Sequence, residues 1–331
     1  MIRILLVGLL FAVRLNAFSF SGIGPTEALL IREAKKISEQ LGDSVWPGIS
    51  KTPFTIVLVT DSLEFLIYHP YPSTDFVVAG KDPILGETIY QRKRTFQKDL
   101  LATFPAVNGV NCIVVGTVAN TGRSVTNWMI TLLHEHFHQY VNTQPNHFDE
   151  VNNLNLSGGD QTGMWMLNYP FPYDSLPVIK QYEKLSAALL SSIQTIGKKT
   201  FRTNYSQYRL EKKSFSKMVK PNDYKYFCFQ VWQEGLAGYT EYKFIQLLKS
   251  YAFPSDILQI EGFTAMEEYS RSFYKAQIKN LQELILPEHK RICVYGVGFA
   301  EGLLLDTINP DWRKLYFKNK FSTDSYYTKT K

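Results

Sequence analysis

The sequence predicts an α+β fold, with a small mixed N-terminal β-sheet followed by a mainly helical half. Three observations carry this expectation. Short β-branched and aromatic runs crowd the first third of the chain, helical apolar spacing dominates from residue 124 onward, and no strand–helix–strand alternation joins the two. The 331 residues are 45% hydrophobic and only 20% charged, which excludes a disordered chain and allows a sizeable core.

In chain order, residues 1–17 read as a secretion signal. Arg3 precedes an apolar run at 4–13, Arg14 closes it, and Ala17 offers a small residue at a cleavage point. The run is about half of the roughly twenty residues that cross a bilayer, so no stable membrane insertion is expected after cleavage. "TEALLIREAKKISEQLG", 26–42, has apolar residues at helical intervals and a terminal Gly, so it predicts a first helix. The runs at 54–60, 64–69, 75–80, 87–96 and 110–118 are divided by Pro, Gly, Asp and Asn and predict strands. Helices are expected over 124–142, 178–196, 222–250, 265–286 and 291–307. Residues 142–178, rich in Asn, Gly, Pro and aromatics, read as a loop long enough to be functional. The division is thus a signal at 1–17, a helix-and-sheet part at 18–123 and a helical part at 124–331, the last two forming one catalytic unit.

Charge and cysteines narrow the function classes. The formal charge of +6 falls when Arg3 and Arg14 leave with the signal, and no dense Lys/Arg tract is present, so no nucleic-acid partner is expected. Cys112, Cys228 and Cys293 lie far apart in apolar surroundings, without the CxxC spacing of a thiolate metal site, and read as buried small hydrophobes.

The chemistry concentrates in "LLHEHFHQY", 132–140, which holds three of the six histidines. Ile130, Leu133, Phe137 and Val141 recur at intervals of three and four, which makes the stretch a helix rather than a strand. His134 and His138, at i and i+4, then stand one above the other and can both turn a ring nitrogen to one cation, the H-E-x-x-H pattern. Glu135 sits about 100° around the helix, in reach of a water to be deprotonated. His136 points elsewhere and reads as structural.

A catalytic zinc site takes three protein ligands and keeps one position open. "VWQEGLAGYTEY", 231–242, supplies the third. Gly235 and Gly238 each cost about 0.8–1 kcal/mol in a helix interior, a cost that close approach of another helix explains. Glu234 lies beside them, and Glu241, seven residues on, falls on nearly the same face. Glu234 is assigned to the metal, and Glu241 to the hydrogen bond that fixes a ligand histidine's tautomer. Glu301 in the helix at 291–307 is a weaker alternative ligand.

His134-Glu135-His138 followed by Trp232-Gln233-Glu234-Gly235-Leu236-Ala237 resembles the gluzincin clan of zinc metallopeptidases, whose third ligand is a glutamate and whose aminopeptidase branch carries W-x-N-E-G-F-A. Gln233 and Leu236 depart from that pattern, Glu234 lies farther from His138 than is usual there, and the G-x-M-E-N exopeptidase motif is absent. The resemblance implies a zincin, thermolysin-like catalytic core with an edge strand along the substrate cleft, placed at "NCIVVGTV". It also implies Zn2+ as cofactor and a peptide or protein substrate, hydrolysed by a metal-activated water with Glu135 as general base. For the donor to the oxyanion, Tyr239, His147 and Tyr295 are candidates, with Tyr239 taken first. Two other readings stay open: an inactive binding protein on the same fold, and a zinc hydrolase acting on non-peptide amides or esters.

Overall fold

The structure is a computed structural model and describes residues 22–327; the expected signal at 1–17 lies outside the described residues. Helix α1, Pro25–Val45, opens the chain, with Pro25 in the first turn where its missing N–H costs nothing. Six strands follow: β1 Ile56–Val59, β2 Leu63–Ile67, β3 Val77–Lys81, β4 Thr88–Lys93, β5 Leu101–Val107 and β6 Val110–Gly116. They form one sheet in the order β3-β4-β2-β1-β6-β5, with β1 and β6 parallel and every other pair antiparallel. The architecture is α+β with a mixed sheet, as expected.

Side chains alternate across the sheet. Ile56, Leu58, Phe65, Ile67, Ile113 and Val115 face the main core, while Val57, Val59, Leu66, Cys112 and Val114 gather in a small cluster on the other face. One expectation is corrected here. Val110–Gly116 is interior, between β1 and β5, so "NCIVVGTV" is not the edge. The edge beside β6 is β5, "LATFPAV", absent from the expected strands because Pro105 breaks the pattern; a strand edge is where proline is tolerated.

After the sheet come α2, Val118–Thr121, and α3, Val125–Asn142. Ser124 caps α3 by accepting from the Asn127 amide. The helix is buried almost all round, held to the sheet by Trp128 Nε1 donating to Gly116 O and by Gln139 Nε2, which reaches Thr55 O at 2.8 Å and Asn111 O at 2.9 Å. The expected loop at 142–178 carries two short helices, α4 His147–Asn152 and α5 Trp165–Asn168.

The helical half continues as α6 Leu176–Gln194, α7 Phe201–Met218, α8 Pro221–Gln230, a π-turn at Val231–Gly235, α9 Leu236–Leu248, α10 Ser255–Leu258, α11 Met266–Glu283, α12 Leu286–His289 and α13 Cys293–Ile308. Glycines in α13 set the closeness of its packing. A Cβ on Gly235 would meet the Gly298 Cα at 2.7 Å, and Gly302 lies under the Tyr239 ring. The helix that Gly235 admits is therefore α13 and not α3, whereas a Cβ on Gly238 would meet nothing within 4 Å. Sheet, α1, α3 and the helical half share one apolar core. Cys112, Cys228 and Cys293 are buried and unpaired by disulfides, and among the described residues no helix is long and apolar enough to cross a membrane.

Candidate metal centre

The site forms where α3, lying on the sheet, meets the π-turn. His134 Nε2 and His138 Nε2 are 3.1 Å apart, and Glu234 Oε2 is 3.8 Å from His138 Nε2. Among the described residues these three form a group able to hold a metal ion, their donor atoms all lying within 4.8 Å of one another. Two nitrogens bound tetrahedrally at 2.0–2.1 Å would sit about 3.4 Å apart, so the pair needs little adjustment to accept zinc, and two imidazoles with one carboxylate are a donor set that zinc favours. The π-turn places Glu234: an extra residue in one turn is a recurrent feature of functional sites.

The surrounding groups orient these donors. His134 Nδ1 lies 2.6 Å from Glu241 Oε1, which fixes the ring and leaves Nε2 to face His138. Burial disfavours a charge on His134, yet the Glu241 bond and charge raise its pKa to about 9. His138 is pushed the other way, chiefly by burial. The two Nε2 atoms face each other at hydrogen-bond distance, and a cation bound between them would displace a proton from His134. Burial also opposes the charge on Glu234, but His138, His134, the Tyr295 hydrogen bond and Arg291 together hold it below the usual carboxylate range.

Glu135 lies on the same helix and faces the edge strand. Thr103 of β5 donates to Glu135 Oε2 at 2.8 Å and to its backbone carbonyl at 3.0 Å, so β5 and α3 are joined at this carboxylate. Tyr295 of α13 donates to Glu234 Oε2 at 2.7 Å. Burial, with the charge of Glu234, pushes its phenol well above the ordinary value, which keeps it a donor at neutral pH. All these groups line a cleft of about 680 Å³.

The other candidates fall elsewhere. Tyr239, the first choice for oxyanion donor, is a correction: it is fully buried, with its hydroxyl 2.8 Å from Asp306 and bonded to Arg313. Five helical residues turn about 140°, so it points away from Glu234. Glu301 is likewise not at the site, being buried 2.8 Å from Lys212 Nζ. His136 is buried against Phe54 and Gln139. His147 stacks on Trp232 beside the cleft. Thr103 and Arg291 escaped the sequence reading; the first sits in a run masked by Pro105, and the second carries no local signal.

Comparison with known proteins gives no matching family model, no matching curated protein and no matching solved structure. The gluzincin resemblance therefore rests on the two motif segments.

Proposed function

We propose that this chain is a secreted zinc-dependent peptidase of gluzincin type. The observation that carries the reading is the convergence of His134, His138 and Glu234 in one cleft with Glu135 and Tyr295 beside them. Zinc held there supplies a Lewis acid that polarises the scissile carbonyl and acidifies a water.

The chain's own groups do the rest. Glu135, with Oε2 engaged by Thr103, has Oε1 to take the proton from the attacking water and deliver it to the leaving amine. Tyr295, whose hydroxyl donates to Glu234 here, would turn that hydrogen to the oxygen that gains charge, where a donor is worth most inside a water-poor cleft. Glu241 holds His134 in the ligating tautomer. Among the described residues the outer side of β5 has no strand neighbour, and its residues Leu101 to Thr103 line the cleft, so an extended peptide can pair with it as a further strand.

The test uses the full-length secreted protein. One zinc per chain is expected, with hydrolysis of a mixed peptide library that Glu135→Gln lowers by about 10²–10⁴-fold while zinc is retained. Failure to bind stoichiometric zinc, or full activity in Glu135→Gln, would overturn the reading.

A further inference from the structure

The cleft has a second lobe whose chemistry differs from that of the metal-bearing one. The two share Ala102, Thr103, Asn142, Leu167, Gln233 and Glu234, so they are continuous past the metal ligands. The second lobe, about 530 Å³, follows β5 onward to Phe104 and Pro105. Its walls include Phe148 and Val151 of α4 and Met164, Trp165 and Leu167 around α5. Phe148, Met164 and Leu167 are exposed, an uncommon state for large apolar side chains set side by side.

Three buried polar atoms of this lobe have no partner among the described residues, namely Gln230 Oε1, Gln233 Oε1 and His147 Nδ1, and the two amide oxygens can only accept. Gln230 is only 2% exposed; its Nε2 donates to Met166 O at 2.8 Å, which fixes the orientation of the amide and leaves the buried Oε1 without a partner among the described residues. Gln233 Oε1 is buried and equally unpartnered. Buried acceptors of this kind are normally satisfied, so two in one apolar-walled lobe mark where a ligand's donor belongs. The donor need not be a cation. Both oxygens of Asp160, the other carboxylate here besides Glu234, already accept from Thr162 and from the Trp165 amide, so a lysine or arginine would have to compete for them.

We propose that this lobe is the side-chain specificity pocket of the cleft and takes an aromatic side chain with a neutral donor at its tip, namely tyrosine, from a residue adjoining the scissile bond. The apolar walls hold the ring, and Gln230 Oε1 and Gln233 Oε1 share the phenol's single hydrogen. The proposal rests on the peptidase reading for its role in catalysis, and on the lobe's own chemistry for its ligand.

The experiment compares zinc-loaded full-length protein acting on peptide pairs that differ only in Tyr or Phe at each position flanking the cleaved bond. Cleavage is expected to favour Tyr about tenfold at one position, because a site built to bond a hydroxyl rejects the analogue that lacks it. Gln230→Met and, separately, Gln233→Met should bring that ratio close to one. Equal cleavage of both peptides by wild type, or an undiminished ratio in both variants, overturns the proposal. If wild type hydrolyses no peptide, the peptidase reading fails and the lobe is judged by binding alone, from NMR titration with N-acetyltyrosinamide and N-acetylphenylalaninamide. Tighter binding of the tyrosine compound that is weakened by Gln230→Met sustains the pocket, and equal or absent binding overturns it. If neither variant folds, the wild-type ratio together with the same titration decides.

Discussion

Glu241 Oε1 stands 2.6 Å from His134 Nδ1, joining two helices through residues 107 positions apart in the chain. That bond sets which nitrogen of His134 faces the metal site. Glu241→Gln keeps the size of the side chain but removes the charge that fixes the tautomer, so zinc affinity should fall about 10–100-fold with the fold intact. Chelator-competition titration with circular dichroism on the same samples checks both halves of the expectation.

The two tyrosines weighed for the oxyanion separate cleanly. Tyr295→Phe removes the phenol bonded to Glu234, and kcat should fall by about 10²-fold or more with KM and zinc content little changed. Tyr239→Phe leaves Asp306 and Arg313 to pair with one another at 3.2 Å, so it should cost about 1 kcal/mol of stability and leave the rate unaltered. Steady-state kinetics and urea titrations of both variants make the comparison.

Gly298→Ala tests the backbone contact behind the third ligand. A methyl there would overlap the Gly235 Cα, one residue from Glu234, in a seam of main chain on main chain. Overpacking of this kind costs about 1–3 kcal/mol or more, and the displaced π-turn should weaken zinc binding as well. A lowered urea midpoint together with a lowered zinc affinity is the expected pair of results.

The zinc-free protein should be most stable near pH 6.5. Burial holds the His136 imidazole down at about 4, and burial with the charge of Lys320 does the same to His147, against roughly 6.5 in an unfolded chain. Below pH 6.5 the unfolded chain gains protons that the folded one refuses until about pH 4, so up to about 3 kcal/mol per histidine is lost across that window. His134 runs the opposite way. Its folded pKa is raised to about 9, so its contribution is complete below 6.5 and is lost as pH rises through 9. Urea midpoints measured with a chelator present, from pH 4 to 10, should trace a maximum with a fall on both sides.

Much of this was legible in residue order. The period of Ile130, Leu133, Phe137 and Val141 identified α3, and the structure has it at Val125–Asn142. The five expected strand runs all hold strands, because alternation and β-branching report directly on a half-buried pleat. What escaped depends on contacts that no local pattern encodes. Strand β5 hid behind Pro105, which reads as a breaker until the strand is known to be an edge. Helix α7, Phe201–Met218, is polar over most of its surface and buries only Tyr208, Lys212 and Phe215, too sparse a stripe to stand out. The π-turn has no sequence signature, and Gly235 indicated a close neighbour without saying that it was Gly298. Within the site, helical spacing pairs His134 with His138 and Glu234 with Glu241, the glycines beside Glu234 single out its segment, and the structure brings the four side chains together. Tyr239 is near Glu234 along the chain but about 140° around the helix from it, an angle that nearness in sequence does not convey.

The ligand set spans the chain. His134 and His138 belong to a helix fastened to the sheet through Gln139 and Trp128, while Glu234 belongs to the helical half. A cation shared by them is therefore also a cross-link, closing a loop of about a hundred residues that only the folded chain can close. Its affinity converts into resistance to unfolding by mass action, about 4 kcal/mol when free zinc stands a thousandfold above the dissociation constant. Metal supply would then set how long each molecule survives as well as how fast it works.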